Sequence, residues 1–260
     1  MKSKYKFAQK LILDAGDFLR LHLHDQLDIE IKGHFTDLAT QLDHQVQELL
    51  VAQIIARYPH DLIYGEESEQ RSPIKEGRVW VIDPIDGTSN FIAQKTDFAI
   101  LLAYFEDGIG QFGLIYDVMA DKLYHGGGKF PVYENEQLLS PAETKPLSQS
   151  LIGINTGLYA QNIAGLANLA DQMLGTRSYG SAGISFSHVL SGRLLIHASY
   201  LFPWDYAAAA ILGQSLGYSL VGFDGQEPSY EGREYVLFLP TTMLAEIKGK
   251  LTYEVTSGIH

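Results

Sequence analysis

Residues 80–91 read WVIDPIDGTSNF, an apolar run that leads directly into two aspartates, a glycine and a threonine. The apolar residues at 79–82 predict a short buried strand. Asp83 and Asp86 follow this run three residues apart, across a turn that Pro84 stiffens, and such a turn can aim both carboxylates at one point. Carboxylates, carbonyls and waters are the ligands that Mg²⁺ prefers. The stretch therefore predicts a site with room for two cations at the end of a strand.

The same stretch predicts an anion site next to the cations. Gly87 and Thr88 are expected to begin a short helix over residues 89–92, whose free N–H groups can bind a phosphate. Taken alone, Asp-Pro-x-Asp-Gly is equally typical of an ordinary turn with a purely structural role. Two further segments favour the functional interpretation: GEES at 65–68 ends the preceding predicted strand, and Asp205 opens a helix rich in alanine.

The composition narrows the function classes. The 260 residues include 19 basic and 31 acidic side chains, a formal net charge of -12. This charge disfavours a nucleic acid partner and repels a phosphate substrate unless bound cations reverse the local field. The absence of cysteine excludes disulfides, thiolate metal sites and cysteine nucleophiles. No apolar run approaches the roughly 20 residues that span a bilayer, and we expect a soluble, cytoplasmic protein with no membrane partner.

Other catalytic motifs do not fit the chain. Lys129 is followed by Phe130 where a P-loop needs serine or threonine, and no G-x-S-x-G elbow is present. For His197 two interpretations stay open, a substrate contact and a plain packing role. Three acidic side chains are interpreted as solvated loop charges: Glu67, Glu69 and Glu76.

The pattern of apolar residues predicts a layered α+β or α/β fold. Helices are expected over residues 5–23 and from Thr40 to Pro59, with Asp43 in capping-box spacing. Strands are expected at 62–64 and 79–82, followed by an antiparallel meander over 97–123 and a flexible glycine hairpin or loop at 126–128. After a linker at 142–150, a strand at 151–154 precedes helices near 160–174, 183–190 and 207–216. We expect one domain over residues 1–260, with a boundary near 142–150 if it divides into two lobes.

Three segments together resemble the signature segments of the inositol monophosphatase family: GEES at 65–68, WVIDPIDGTSNF at 80–91 and PWDYAAA at 203–209. Their order and approximate spacing match as well. Further similarity lies in DLATQLD at 37–43, GGG at 126–128 and GSAG at 180–183, so the resemblance covers most of the chain.

The resemblance implies a phosphoric monoester hydrolase that binds two to three Mg²⁺ ions. One ion would be bound by Glu66, Asp83 and the carbonyl of Ile85, and a second by Asp83, Asp86 and Asp205. A third, weakly held ion would lie beside Glu66. Catalysis would involve Glu66 and a water-activating pair, Asp43 and Thr88, with in-line attack of a metal-activated water and no covalent phosphoenzyme.

Substrate contacts and assembly follow from the same resemblance. The backbone of Gly87 and Thr88 would hold the phosphate, and further substrate contacts would come from Asp86, Ala182 and Asp205. The family pattern also implies an alternating α-β-α-β-α sandwich, a homodimer and inhibition by lithium.

Departures from the family pattern leave the substrate open. Ala198 lies seven residues before Asp205, where inositol-cleaving members place a glutamate that binds substrate hydroxyls, and Ala209 stands where the family has glycine. Inositol phosphate, another sugar phosphate, fructose bisphosphate, the 2′-phosphate of NADP and phosphoadenosine phosphate all remain candidate substrates. A regulatory protein that keeps the fold and acts through a partner is the alternative from a different class.

Overall fold

A computed structural model describes residues 1–32, 38–68 and 71–252. The described ranges contain eight α-helices and fourteen strands, with short 3₁₀ turns at Leu147–Gln149, Ile163–Gly165 and Thr241–Met243. The helices are α1 Lys2–Leu21, α2 Gln41–Arg57, α3 Thr88–Gln94, α4 Thr156–Ala160, α5 Leu166–Ala170, α6 Ala182–Leu190, α7 Pro203–Leu216 and α8 Leu244–Lys250. The strands are β1 Ile29–Ile31, β2 Leu38–Thr40, β3 Leu62–Gly65, β4 Arg78–Asp86, β5 Ala99–Glu106, β6 Ile109–Asp117, β7 Lys122–Gly127, β8 Phe130–Glu134, β9 Gln137–Leu138, β10 Leu151–Ile154, β11 Gly175–Arg177, β12 Ile196–Leu201, β13 Tyr218–Gly222 and β14 Glu234–Pro240.

Two mixed sheets organise these elements. The first has seven strands in the order β3-β4-β5-β6-β7-β8-β9, parallel only between β3 and β4. The second has five strands in the order β11-β10-β12-β14-β13, and its first three strands are parallel. Strands β1 and β2 form a separate antiparallel pair.

Three apolar clusters divide the molecule into layers. In one cluster α1 and α2 pack on the outer face of the first sheet. In another, α6 and α7 fill the space between the two sheets, and in the third α4, α5 and α8 cover the outer face of the second sheet. The predicted α-β-α-β-α sandwich is confirmed.

The start of α2 follows the predicted capping box. The Thr40 side chain accepts the N–H of Leu42, and the Asp43 carboxylate accepts the N–H of Thr40 at 2.8 Å. Both bonds satisfy helix N–H groups that would otherwise lack acceptors. The box also fixes the direction of the Asp43 side chain.

The structure differs from the predicted pattern after the linker. The expected helical region at 160–174 contains two short helices, α4 and α5. Between them Asn162 and Gly165 adopt positive φ values of 48° and 76°, a backbone conformation that cannot continue a right-handed helix.

The glycine run at 126–128 serves close packing rather than flexibility. A side chain at Gly127 would place its Cβ 2.5 Å from the carbonyl oxygen of Ile211 on α7. Only glycine therefore lets β7 approach α7 so closely.

None of the described helices combines the length and the apolar composition that a membrane span requires.

Candidate active site

Three aspartates meet at the carboxyl end of β4. Asp83, Asp86 and Asp205 each offer an oxygen that lies within 4.8 Å of the other two. In a regular strand, residues three apart face opposite sides. The pairing of β4 with β5 shifts between Asp83 and Asp86, and this bulge adds the residue that turns both carboxylates to one side.

Asp205 reaches the cluster from the first turn of α7. Pro203 occupies one of the first two positions of that helix, where its missing N–H costs nothing. The carboxylate of Asp205 accepts the N–H of Phe202 at 2.7 Å, which fixes its position at the helix start. The structure thus brings Asp83, Asp86 and Asp205 together; their role as metal ligands stays a prediction.

The electrostatics of the cluster suit a divalent cation. Burial, together with repulsion from Glu66, Asp86 and Asp205, raises the pKa of Asp83 well above its usual range. Burial and repulsion from Asp86 and Glu66 do the same to the pKa of Asp205. In the described part of the chain, Asp83 Oδ1 is buried without a hydrogen-bond partner. Closely spaced oxygen donors that repel one another, one of them unpaired, fit a hard cation such as Mg²⁺.

Glu66 lies beside the three aspartates in the turn after β3 and is held by a lysine. Lys32 Nζ donates to Glu66 Oε1 at 3.1 Å and also to Glu67. Burial raises the pKa of Glu66 to about 7, and the charge of Lys32 limits that rise. Burial lowers the pKa of Lys32, but Glu66 and Glu67 outweigh this effect and the net direction is upward.

Glu67 follows Glu66 in the chain, and the carbonyl of Ile85 lies between Asp83 and Asp86. The Glu67 side chain is 4 % exposed and paired with Lys32, so its interpretation as a solvated charge is wrong; Glu69 lies outside the described residues. The carbonyl of Ile85 accepts a hydrogen bond from Thr88 Oγ1 at 3.0 Å. Its proposed role as a metal ligand would use the second lone pair of that oxygen.

The side chains of Asp43 and Thr88 lie within hydrogen-bonding distance of each other. Thr88 Oγ1 lies 3.1 Å from Asp43 Oδ1, and Asp43 Oδ2 accepts from the hydroxyl of Thr40 at 2.7 Å. Burial raises the pKa of Asp43, although the two bonds from Thr40 oppose the rise. A buried carboxylate with a raised pKa accepts a proton more readily than an exposed one.

Gly87 makes the tight turn between β4 and α3. Its φ is 91°, and a Cβ there would lie 2.9 Å from the Cβ of Ser181. Glycine is required both by the backbone conformation and by the space. The predicted short helix is confirmed as α3, which begins at Thr88.

The start of α6 holds Asp86. Ser181 Oγ donates to Asp86 Oδ2, while the N–H of Ala182 donates to Asp86 Oδ1 at 2.9 Å and that of Gly183 to Oδ2 at 2.7 Å. Burial raises the pKa of Asp86 and these three bonds oppose the rise. The N–H of Ala182 therefore points to Asp86, so Ala182 can influence substrate through that carboxylate.

A cavity of about 630 Å³ opens at these carboxylates, and β12 forms part of its wall. His197 and Ser199 line the cavity, whereas Ala198 packs into the cluster on the outer face of the second sheet. Successive residues of a strand point to opposite faces. The expectation that Ala198 stands at a substrate-contacting position is therefore wrong, because its side chain faces away from the cavity.

His197 is a buried imidazole on the cavity side of β12. Neither ring nitrogen has a hydrogen-bond partner among the described residues, and the ring meets Phe186 edge to face at 5.1 Å. Burial lowers the pKa of His197 to about 4, so the ring is neutral at pH 7.

Several residues at the site have no signal in the sequence. Ser181 lies in the GSAG segment, but its bond to Asp86 joins residues 95 positions apart. Lys32, Arg71 and Arg233 line the cavity and belong to no motif. These three side chains reach the cavity through contacts between elements that are distant in the chain, and a single sequence does not reveal such contacts.

The chain belongs to the inositol monophosphatase family, whose model matches residues 1–252. It is accordingly a phosphoric monoester hydrolase.

Three relatives illustrate the similarity. The chain is 37% identical over 227 residues to the inositol-1-monophosphatase of Bacillus subtilis, a match that covers 85% of this chain and 86% of the relative. It is 28% identical over 233 residues to a fructose-1,6-bisphosphatase/inositol-1-monophosphatase of Thermotoga maritima, covering 88% and 89% of the two chains. The crystal structure of staphylococcal SaIMPase-II with bound inositol monophosphate has a TM-score of 0.85 and 30% identity, covering 95% of this chain and 92% of that chain.

Proposed function

We propose that the chain hydrolyses a small phosphate monoester in a Mg²⁺-dependent reaction at the Asp83, Asp86 and Asp205 cluster. The observation that carries the proposal is the convergence of these three carboxylates within 4.8 Å, since two of them, Asp86 and Asp205, line the cavity. Fixed, acidic oxygen donors of this kind match the ligand preference of Mg²⁺.

We assign the ligands as the family resemblance implies. Glu66, Asp83 and the carbonyl of Ile85 would hold one ion, and Asp83, Asp86 and Asp205 a second. Bound Mg²⁺ supplies positive charge for the phosphate oxygens and makes a bound water more acidic. The unpaired, buried Asp83 Oδ1 supports Asp83 as the ligand common to both sites.

The protein's own residues would prepare the attacking water. Thr88 Oγ1 is 3.1 Å from Asp43 and 3.0 Å from the carbonyl of Ile85, so its single proton is given to one of them and its lone pairs can accept from water. Asp43, with its raised pKa, would then take the water's second proton. The water oxygen forms a bond to phosphorus as the bond to the alcohol oxygen breaks on the opposite side, and the departing alcohol oxygen takes a proton from a solvent water.

The phosphate would lie at the start of α3. The backbone N–H groups of Gly87 and Thr88 are proposed to bind its oxygens, as the first N–H groups of a helix have no acceptor within the helix. Asp86 and Asp205, at the cavity floor, are proposed to contact the substrate alcohol. Ala182 contributes by holding Asp86.

We propose two to three ions, as the family resemblance implies. Lys32 Nζ lies 3.1 Å from Glu66 Oε1, and its positive charge would repel any ion bound at that oxygen. Lys32 would therefore have to move away from Oε1 before an ion is bound there.

We also propose that the chain forms a homodimer, works in the cytoplasm and is inhibited by lithium. All three properties rest on the family resemblance. Light scattering, cell fractionation and a lithium titration of phosphate release test them one by one.

A phosphate-release screen tests the main proposal. Purified protein is assayed with inositol monophosphate, fructose bisphosphate and NADP over a titration of Mg²⁺, and release from at least one ester should require the metal. Asp83→Asn should be inactive. Asp14→Asn changes a partly exposed aspartate on α1 and should behave as wild type. A folded protein that releases no phosphate from the panel would instead favour the regulatory binding alternative.

A further inference from the structure

A column of stacked side chains forms one wall of the cavity. The Arg71 guanidinium lies 4.5 Å from the centre of the Trp204 ring, and the Trp204 and Phe202 rings stack at 4.5 Å. The Arg233 guanidinium follows, 5.4 Å from the Phe202 ring centre and 4.6 Å from that of Tyr200. Arginines between aromatic rings are favoured by cation–π attraction, which restricts their movement.

The position of Arg233 is fixed by further bonds. Its Nε donates to the carbonyl of Tyr200 at 3.1 Å. The next residue, Glu234, pairs with Leu201 in the sheet, and its carboxylate accepts the N–H groups of Ser229 at 3.0 Å and Tyr230 at 3.2 Å. Arg233 is therefore held at the cavity by its backbone, its Nε and the rings of Tyr200 and Phe202.

The two terminal nitrogens of Arg233 have no such partner. Within the described ranges, Arg233 forms no salt bridge and its terminal nitrogens form no hydrogen bond. The other two cations lining the cavity are engaged: Lys32 with Glu66 and Glu67, and Arg71 with the carbonyls of Gly65 and Glu66. Arg233 alone among these three presents a free guanidinium edge with two adjacent donors.

The free guanidinium edge of Arg233 can bind an anionic group in a cavity that otherwise repels anions. The chain carries a net charge of -12, and the cavity floor is built from carboxylates, so an anionic group away from the metal cluster would be repelled. A planar guanidinium binds phosphate through two parallel hydrogen bonds. The Phe202 ring stacks on Trp204 and lies beside the Arg233 guanidinium, so the ring helps to hold the arginine in place.

We propose that Arg233 binds a second phosphate carried by the substrate's alcohol, so that the enzyme selects bisphosphates over phosphate esters of neutral alcohols. This inference rests on the proposed function, since it assumes that the first phosphate is bound at the aspartate cluster. It makes Arg233 a residue that determines specificity.

A matched pair of substrates tests the proposal. Fructose 1-phosphate and fructose 1,6-bisphosphate differ only by the second phosphate. Wild-type protein with Mg²⁺ should show a kcat/KM for the bisphosphate at least about tenfold higher, as expected for one charge-assisted bidentate contact. Arg233→Gln should lower the ratio of the two values about tenfold, chiefly through KM for the bisphosphate, and Arg233→Lys should lower it less because the charge remains.

Arg71→Gln is the matched control. It removes the same charge from the same wall, but Nε and one terminal nitrogen of Arg71 are bound to backbone carbonyls. Arg71 therefore lacks the free pair of terminal donors that Arg233 offers, and the ratio should stay at the wild-type value.

An unchanged ratio in Arg233→Gln, an equal fall in Arg71→Gln, or a wild type without preference for the bisphosphate would each overturn the role of Arg233. A wild type that releases phosphate from neither sugar, nor from any other ester, would refute the proposed function instead.

Discussion

The N–H of Gly183 donates to Asp86 Oδ2 at 2.7 Å, although 97 positions separate the two residues. Asp86 thus belongs to the acidic cluster at the end of β4 and also caps α6, the helix between the two sheets. A capping carboxylate satisfies helix N–H groups and interacts favourably with the positive end of the helix dipole. The same side chain therefore contributes both to the proposed metal site and to the packing of the second half of the chain.

Asp86→Asn should abolish activity and also lower stability. The amide keeps one acceptor oxygen, but its NH₂ group faces a donor from Ser181, Ala182 or Gly183. An unsatisfied buried donor costs about 1 to 3 kcal/mol, which exceeds any relief of carboxylate repulsion that we expect. Phosphate release and thermal unfolding measure the two effects. Asp205→Asn is the control. The Asp205 carboxylate accepts one hydrogen bond, from the backbone N–H of Phe202, so this variant should lose activity with a smaller fall in Tm. Wild-type turnover by Asp86→Asn at saturating Mg²⁺ would refute its assignment as a ligand.

Thr88→Ala should lower kcat by about 10²-fold or more with a smaller change in KM. The hydroxyl is proposed to orient water beside Asp43, and loss of a positioned proton-transfer group typically costs 10²- to 10⁴-fold. Thr88→Ser keeps the hydroxyl and should retain most of the activity. Steady-state kinetics of both variants provide the test, and an effect confined to KM would assign the side chain to substrate binding.

Without metal, the protein should lose stability as the pH rises. Burial raises the pKa of Glu66 from its ordinary 4.5 to about 7, so the folded state binds more protons than the unfolded state between these values. Stability then falls with increasing pH across this window and levels off above it. The raised pKa values of Asp83 and Asp205 act in the same direction. Thermal unfolding in EDTA at pH 5.5 and 8 should show the fall, and excess Mg²⁺ should remove it. Equal Tm values in EDTA at the two pH values would contradict the account of the cluster.

His197 should make the protein sensitive to acid. Burial lowers its pKa from 6.5 to about 4, so the unfolded state takes up a proton more readily than the folded state. This contribution to stability is present above pH 6.5 and is lost as the pH falls toward 4. His197→Phe lacks the titrating group. With excess Mg²⁺, which removes the opposite trend of the carboxylates, its Tm should fall less between pH 7.5 and 5 than that of wild type. An identical fall in both proteins would assign acid sensitivity to other groups.

Ala198→Glu should destabilise the protein without improving the hydrolysis of inositol phosphate. The side chain would be buried in the apolar cluster of the second sheet, next to Leu237 on β14, and an unpaired buried carboxylate costs several kcal/mol. Ser199→Glu places the same group on the cavity side of β12 and should be tolerated. Tm and kcat/KM of the two variants give a direct comparison. A stable Ala198→Glu with a gain for inositol phosphate would show that its side chain reaches the cavity.

The sequence predicts those parts of the site that depend on local patterns. The capping box at Thr40 and Asp43, and the two aspartates that flank the Pro84 turn, are readable because each lies within a few residues of its partners. The family resemblance added Asp205. Lys32 and Arg233 could not be predicted, because their roles depend on contacts between elements distant in the chain.

The sequence also does not reveal which side chains of β12 face the cavity. Side chains alternate between the two faces of a strand. Matching Ala198 to the family glutamate with an error of one residue therefore predicts a side chain in the cavity where the structure has one in the apolar core. Only the pairing with β10 and β14 determines that Ser199 faces the cavity.

The aspartate cluster draws on both halves of the chain. Asp83 and Asp86 precede the connection at residues 142–150, and Asp205 follows it. A cation held by all three carboxylates would crosslink the two sheet layers. Part of its binding free energy would then stabilise the association of those layers. Chelation would then weaken the junction between the halves before it weakens either sheet, and a chain cut within 142–150 would depend on the metal to keep its fragments associated.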